Sequence, residues 1–74
     1  NKREKILKVA EKLFGEKGFK GASIREITTK AQANVSAVNY YFGNKKGLYL
    51  AVFEELWIKR AQAQRNYLQK RLAA

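Results

Sequence analysis

The side chains of this chain that could do chemistry are cations, amides and hydroxyls. Residues 23–46 gather them densely, in Ser23, Arg25, Lys30, Ser36, Asn39, Tyr40, Tyr41, Lys45 and Lys46, and no acidic residue falls between Glu26 and Glu54. Lysine and hydroxyl groups suit phosphate oxygens, while a guanidinium or a carboxamide can pair with a base edge. Other chemistry is hard to assemble. His and Cys are absent, which removes the commonest general base and metal ligand along with thiolate sites and disulfides. Asp is absent as well, and of the six Glu, at positions 4, 11, 16, 26, 54 and 55, several are flanked by Lys at helical spacing, as on solvated helix faces and not in catalytic carboxylate pairs. These residues argue against an enzyme and call for no cofactor or metal.

Sixteen Lys and Arg leave a net charge of +10, which seeks a polyanion: a nucleic acid or an anionic membrane surface. Charge alone does not choose between them. No run approaches the ~20 apolar residues of a membrane span and no signal peptide stands out, so a soluble, cytoplasmic chain is expected. The sequon Asn34-Val35-Ser36 matches a glycosylation pattern and is read as chance. At 74 residues one small domain is the most that can form, and such a domain hides only about 60% of its unfolded surface.

The elements that must position the cationic cluster follow from apolar spacing and caps. Over residues 2–17, Ile6, Ala10, Leu13 and Phe14 fall at i, i+4, i+7 and i+8 with Leu7 and Val9 beside them, the stripe of one amphipathic helix. Gly18 should stop it and Phe19 fold back as an apolar plug. Ser23-Ile24-Arg25-Glu26 reads as a capping box that opens a second helix, with Ile24, Ile27 and Ala31 inward. Asn34 caps a third helix at residues 35–41, which turns Val38 and Phe42 to the core and leaves Ser36 and Tyr40 on the opposite face, with Ala37 and Asn39 at its edges. Gly43 ends it, and Asn44 caps a fourth helix whose first turn begins Lys45-Lys46. No repeat, linker or low-complexity tract is present.

The fourth helix is apolar on two sides: Leu48, Val52 and Leu56 form one stripe, and Leu50, Phe53 and Trp57 lie roughly opposite. Two readings are open for the second stripe. Trp57 wraps over an edge of the local core, or Phe53 and Trp57 dock against protein that follows residue 74; the second is preferred because the helix carries no stop signal. The fold expected is all-α, a three-helix bundle with a helix-turn-helix plus the start of a long connecting fourth helix. Two short helices joined by a tight turn and packed by a preceding one are the parts of a helix-turn-helix, which sets its second helix in the major groove. A face free of acids, with Arg25, Lys30, Tyr41, Lys45 and Lys46 around it, suits that groove.

The run Ser23-Ile24-Arg25-Glu26-Ile27, then Ala31, then Asn34-Val35-Ser36-Ala37-Val38-Asn39-Tyr40-Tyr41-Phe42-Gly43-Asn44-Lys45-Lys46-Gly47-Leu48, closely resembles the head of tetracycline-repressor-type (TetR-type) transcriptional regulators. Leu13-Phe14 and Gly18-Phe19 extend the resemblance, to roughly residues 3–56. There are two departures: the usual Ala-Gly-Val turn reads Ala31-Gln32-Ala33, and a frequent Tyr is Asn39.

The resemblance implies that Arg25 reaches either a guanine edge or a phosphate. It places Val35, Ser36 and Ala37 where bases or backbone are touched, with Val35 or Ala37 available to a thymine methyl. Asn39 pairs with adenine, or else binds water or phosphate. Tyr40 and Tyr41 lie against the sugar-phosphate wall, with Tyr41 alternatively part of the core. Lys45 is assigned to a phosphate, its charge adding to the positive end of the fourth helix. Ser23 caps its helix and is available to a phosphate as well.

Residues 1–47 are then the DNA-binding domain, and residues 48–74 a connecting helix leading to a further domain that would bind a small-molecule effector and hold a homodimer. The expected partner is double-stranded DNA carrying a palindromic operator, for a regulator that is ligand-responsive and represses. Two rivals remain from the residues themselves. One is a basic membrane-surface helix over residues 45–72 inserting Trp57, Tyr67 and Leu68, whose charges are not segregated to one face. The other is a non-specific nucleic-acid binder, for which only Tyr40, Tyr41 and Tyr67 could stack.

Overall fold

The computed structural model describes residues 1–73, and every one of its regular elements is helical. Helix α1 spans Lys2–Gly21, α2 Ile24–Ala31, α3 Val35–Phe42 and α4 Lys45–Val52; a π-helical stretch, Phe53–Ile58, carries α4 on into α5, Lys59–Ala73.

Helix α1 buries Ile6, Leu7, Ala10, Leu13 and Phe14, the stripe that its spacing predicts. At Gly18 the backbone leaves helical geometry (φ 76, ψ 174), a conformation open to glycine, and one more turn follows, closed by the Ala22 amide donating to the Gly18 carbonyl at 3.2 Å. Phe19 folds back: its ring stacks 6.1 Å from that of Phe14 and meets Tyr49 edge-on at 5.2 Å. The expected stop is therefore a break at Gly18 with a short helical continuation.

The Ser23 hydroxyl oxygen accepts from the Glu26 amide at 3.0 Å and starts α2. The reciprocal half of the capping box is not among the hydrogen bonds of the described residues. Instead the Glu26 carboxylate takes both its bonds from Lys17 Nζ, at 3.0 and 2.8 Å, because a cation at the end of α1 outbids an amide. Thr28 is the one polar residue buried in the described core, and its hydroxyl is satisfied by the carbonyls of Ile24 and Arg25 at 2.9 and 3.1 Å.

The turn into α3 is closed at Gln32, which sits in the left-handed region (φ 55, ψ 43). Ala33 N–H donates to the Thr28 carbonyl at 2.9 Å and Gln32 N–H to that of Thr29 at 3.2 Å, the paired bonds of a Schellman ending in the place where glycine is usual. The tight turn survives the loss of glycine, with a strained glutamine supplying it.

Asn34 and Asn44 cap α3 and α4, each accepting from the amide three residues on, at 3.0 and 2.7 Å. Gly43 closes α3 with φ 87. At Gly47 the chain doubles back so tightly that a methyl group there would lie 1.9 Å from the Phe42 carbonyl oxygen.

Helix α1 packs against α2 and α4, and α3 against both α2 and α4. Ile6, Leu13, Ile27, Val38, Leu48 and Val52 are fully buried at the centre, each burial worth about 1.5–3 kcal/mol. The first stripe of the fourth helix thus belongs to the core of the three-helix head. Trp57 is half-buried, edge-on to Tyr49 at 6.1 Å and to Phe53 at 6.0 Å, while Leu50, Phe53 and Ile58 stay exposed. From Lys59 to Leu72 the side chains of α5 are exposed, and the rod sets the 48 Å long axis of a structure otherwise 24 by 18 Å.

Candidate nucleic-acid interface

Helix α3 carries the candidate face. Val38 anchors it at 1% exposure, and Ala37 and Phe42 pack partly against the core, which rotates Val35, Ser36, Asn39 and Tyr40 outward. Tyr40 is 83% exposed, an unusual position for an aromatic ring unless something covers it. Its ring meets that of Tyr41 edge-on at 5.0 Å, and Tyr41, at 38% exposure, stands at the rim with its ring 6.2 Å from that of Phe42. Ala37 is more enclosed than Val35 and Ser36, so less of its methyl is presented outward.

Around this face stand the groups from other helices. Arg25, on the first turn of α2, is exposed and its guanidinium makes no ion pair or hydrogen bond among the described residues, so its five donors are free. Ser23 is exposed with its oxygen engaged as the cap of α2. Lys45, at the start of α4, is half-buried and differs from a free cation: its ammonium sits 4.6 Å from the centre of the Phe19 ring, a cation–π contact on the α1 side of the molecule.

Three further side chains brace this face, and of these only Asn34, as a cap, is marked by its local sequence. Asn34 caps α3 and also accepts from the Ser36 hydroxyl at 2.7 Å; the Asn-x-Ser spacing first met as a glycosylation pattern is the local signal for this. Lys5 donates to Gln32 Oε1 at 3.0 Å and ties the start of α1 to the helix-turn-helix corner. Arg3 lies 5.1 Å from the centre of the Phe42 ring, at the end of α3, while both its terminal nitrogens grip Glu55. Lys5 and Gln32 are 27 residues apart and Arg3 and Glu55 are 52, so no local pattern could announce either pair.

The outward face of α3 carries no acid, and the helices before and after it carry Arg25 and Lys45 in their first turns. Among the described residues no helix is long and apolar enough to cross a membrane. Trp57, the anchor of the membrane-surface rival, is engaged with Tyr49 and Phe53.

Comparison with known proteins points the same way. A family model described as bacterial regulatory proteins, tetR family, matches residues 6–52. The HTH-type transcriptional repressor NicS of Pseudomonas putida is 40% identical over 62 residues, covering 84% of this chain and 29% of NicS. The HTH-type transcriptional dual regulator CecR of Shigella flexneri is 41% identical over 56 residues, covering 76% and 24%. The crystal structure of HlyIIR, a hemolysin II transcriptional regulator, superposes with a TM-score of 0.71 at 47% identity, covering 74% of this chain and 31% of that one. The chain therefore spans under a third of the length of these relatives.

Proposed function

The chain belongs to the tetR family of bacterial regulatory proteins, and from that premise we propose that it is the sequence-specific, duplex-DNA-binding head of a transcriptional regulator. The single observation that carries this reading is α3 itself: a helix anchored by Val38 whose outward residues Val35, Ser36, Asn39 and Tyr40 form an acid-free face, in a chain of net charge +10. The relatives matched are named as transcriptional regulators, not enzymes.

In this proposal α3 enters the major groove. Val35, Ser36, Ala37 and Asn39 meet base edges, Arg25 adds a base or phosphate contact from α2, and Tyr40, Tyr41, Ser23 and Lys45 hold the backbone. Lys45 must leave the Phe19 ring to reach a phosphate, giving up a contact worth about 0.5–1 kcal/mol. Residues 1–47 form the reading unit and residues 48–74 the connection to a domain that dimerises and binds a small effector. Two heads then read a palindromic operator in the cytoplasm, and the effector releases repression. Effector and DNA must weaken each other by the same factor.

The test is selection of bound sites from random duplexes with alanine variants of Arg25 and Asn39. Each should relax preference at its own operator position, by roughly 1–3 kcal/mol per base contact. If overall affinity alone falls, both are backbone contacts. A vesicle of anionic lipid competing as well as duplex would contradict the reading itself.

A further inference from the structure

The hydrogen-bond polarity of Ser36 is fixed by its neighbour. Asn34 Oδ1 accepts from the Ala37 amide at 3.0 Å, so the atom at that position must be the carboxamide oxygen and not its nitrogen. Ser36 Oγ lies 2.7 Å from the same oxygen. A carboxamide oxygen has no proton to give, so the proton between the two atoms is the serine's. The Ser36 hydroxyl is thus spent as a donor and faces outward as an acceptor only. Turning it the other way would break this bond and leave Asn34 Oδ1 with the helix cap alone.

We infer that Ser36, in the DNA reading proposed above on which this rests, is a specificity-determining residue that accepts a hydrogen bond from a base amino group. Phosphate oxygens offer only lone pairs, and so do guanine O6 and N7 and thymine O4. The donors of the major groove are adenine N6 and cytosine N4. An acceptor-only hydroxyl on an exposed helix face therefore sorts amino bases from keto bases. It admits A or C on the contacted strand and opposes G or T there. The Asn34 carboxamide keeps two N–H groups for the neighbouring backbone, since its oxygen is fully occupied by Ala37 and Ser36.

The experiment uses the full-length protein. Sites selected from random duplexes by the wild type and by Ser36→Ala identify the operator position that the hydroxyl governs. That position is expected to prefer one base pair in a fixed orientation in the wild type, with the pair's adenine or cytosine amino group as the contacted donor, and to relax in the variant. Because Ser36→Ala also removes a brace from the cap of α3, a second arm leaves the protein untouched. The adenine is replaced by purine, or the cytosine by pyrimidin-2-one, deleting the amino group alone. Wild-type affinity should then fall roughly 5- to 150-fold, the span of one good base contact, while Ser36→Ala should bind both duplexes equally. An unchanged wild-type affinity for the amino-less duplex, or an equal loss of affinity in wild type and Ser36→Ala, overturns the inference and leaves DNA binding intact. The absence of any selected sequence overturns the DNA reading and this inference with it.

Discussion

Arg3 grips Glu55 across the molecule with both terminal nitrogens, at 2.9 and 2.7 Å, while its guanidinium also lies 5.1 Å from the Phe42 ring centre. One side chain near the start of α1 thereby touches the end of the candidate recognition helix and the π-helical part of the rod. The hydrogen bonds from Arg3 hold the Glu55 carboxyl below its ordinary range, against the opposing pull of partial burial.

That shift sets a pH dependence. A carboxylate with a depressed folded-state pKa contributes stability that is complete above its unfolded value, about 4.3, and is lost as pH falls through the lower folded value. The side chains are 38% and 35% exposed, so solvent screening limits the pair to about 1 kcal/mol or less. Glu55→Gln should lower the melting temperature by a few degrees at pH 7, and the gap to wild type should close as pH falls to about 3. Thermal melts across that range check it; a gap independent of pH would show that the pair contributes through packing alone.

Gly47 is required by sterics. With the Phe42 carbonyl oxygen 1.9 Å from where a methyl would sit, Gly47→Ala must push α4 away from α3. The expected cost is about 3 kcal/mol, which for a domain of this size lowers the melting temperature by roughly 12–24 °C. Calorimetry or thermal circular dichroism decides, and a wild-type melt would refute the close approach.

Gln32 presents the opposite case. Its left-handed backbone costs a non-glycine residue about 1–2 kcal/mol, partly offset because glycine frees the unfolded chain by about 0.4–1 kcal/mol. Gln32→Gly should stabilise by roughly 0.5 kcal/mol, whereas Gln32→Val, β-branched, should destabilise clearly. Denaturant titration of both variants checks the order; a Gln32→Gly variant less stable than the wild type would mean that the Lys5 contact outweighs the strain.

Lys45→Ala should weaken binding to every duplex alike, and the slope of log affinity against log salt should shrink by about one unit. An unchanged slope would leave Lys45 on Phe19 in the complex and remove it from the phosphate contacts.

What was legible in the residues is what local physics decides. The α1 stripe, the caps Ser23, Asn34 and Asn44 and the break at Gly18 each depend on neighbours within a few positions, and each stands where spacing puts it. The outward face of α3 follows from Val38 alone. Contacts settled by tertiary competition were not legible. Glu26 left the Ser23 amide for Lys17, Lys45 found the ring of Phe19, and Arg3 found Glu55. Trp57 could be read two ways because its fate depends on whether Tyr49 and Phe53 offer it a seat, which helical periodicity does not reveal. The π-helical turns at Phe53–Ile58 likewise have no local signature that separates them from an ordinary helix.

Selection of bound sites from random duplexes by the full-length protein tests most directly the proposal that α3 reads duplex DNA by sequence as one of a pair. The expected result is an inverted repeat whose half-site centres lie about 34 Å apart, or a multiple of that, along one face of the helix. Equal recovery of all duplexes, or equal affinity for random single strands, would contradict it.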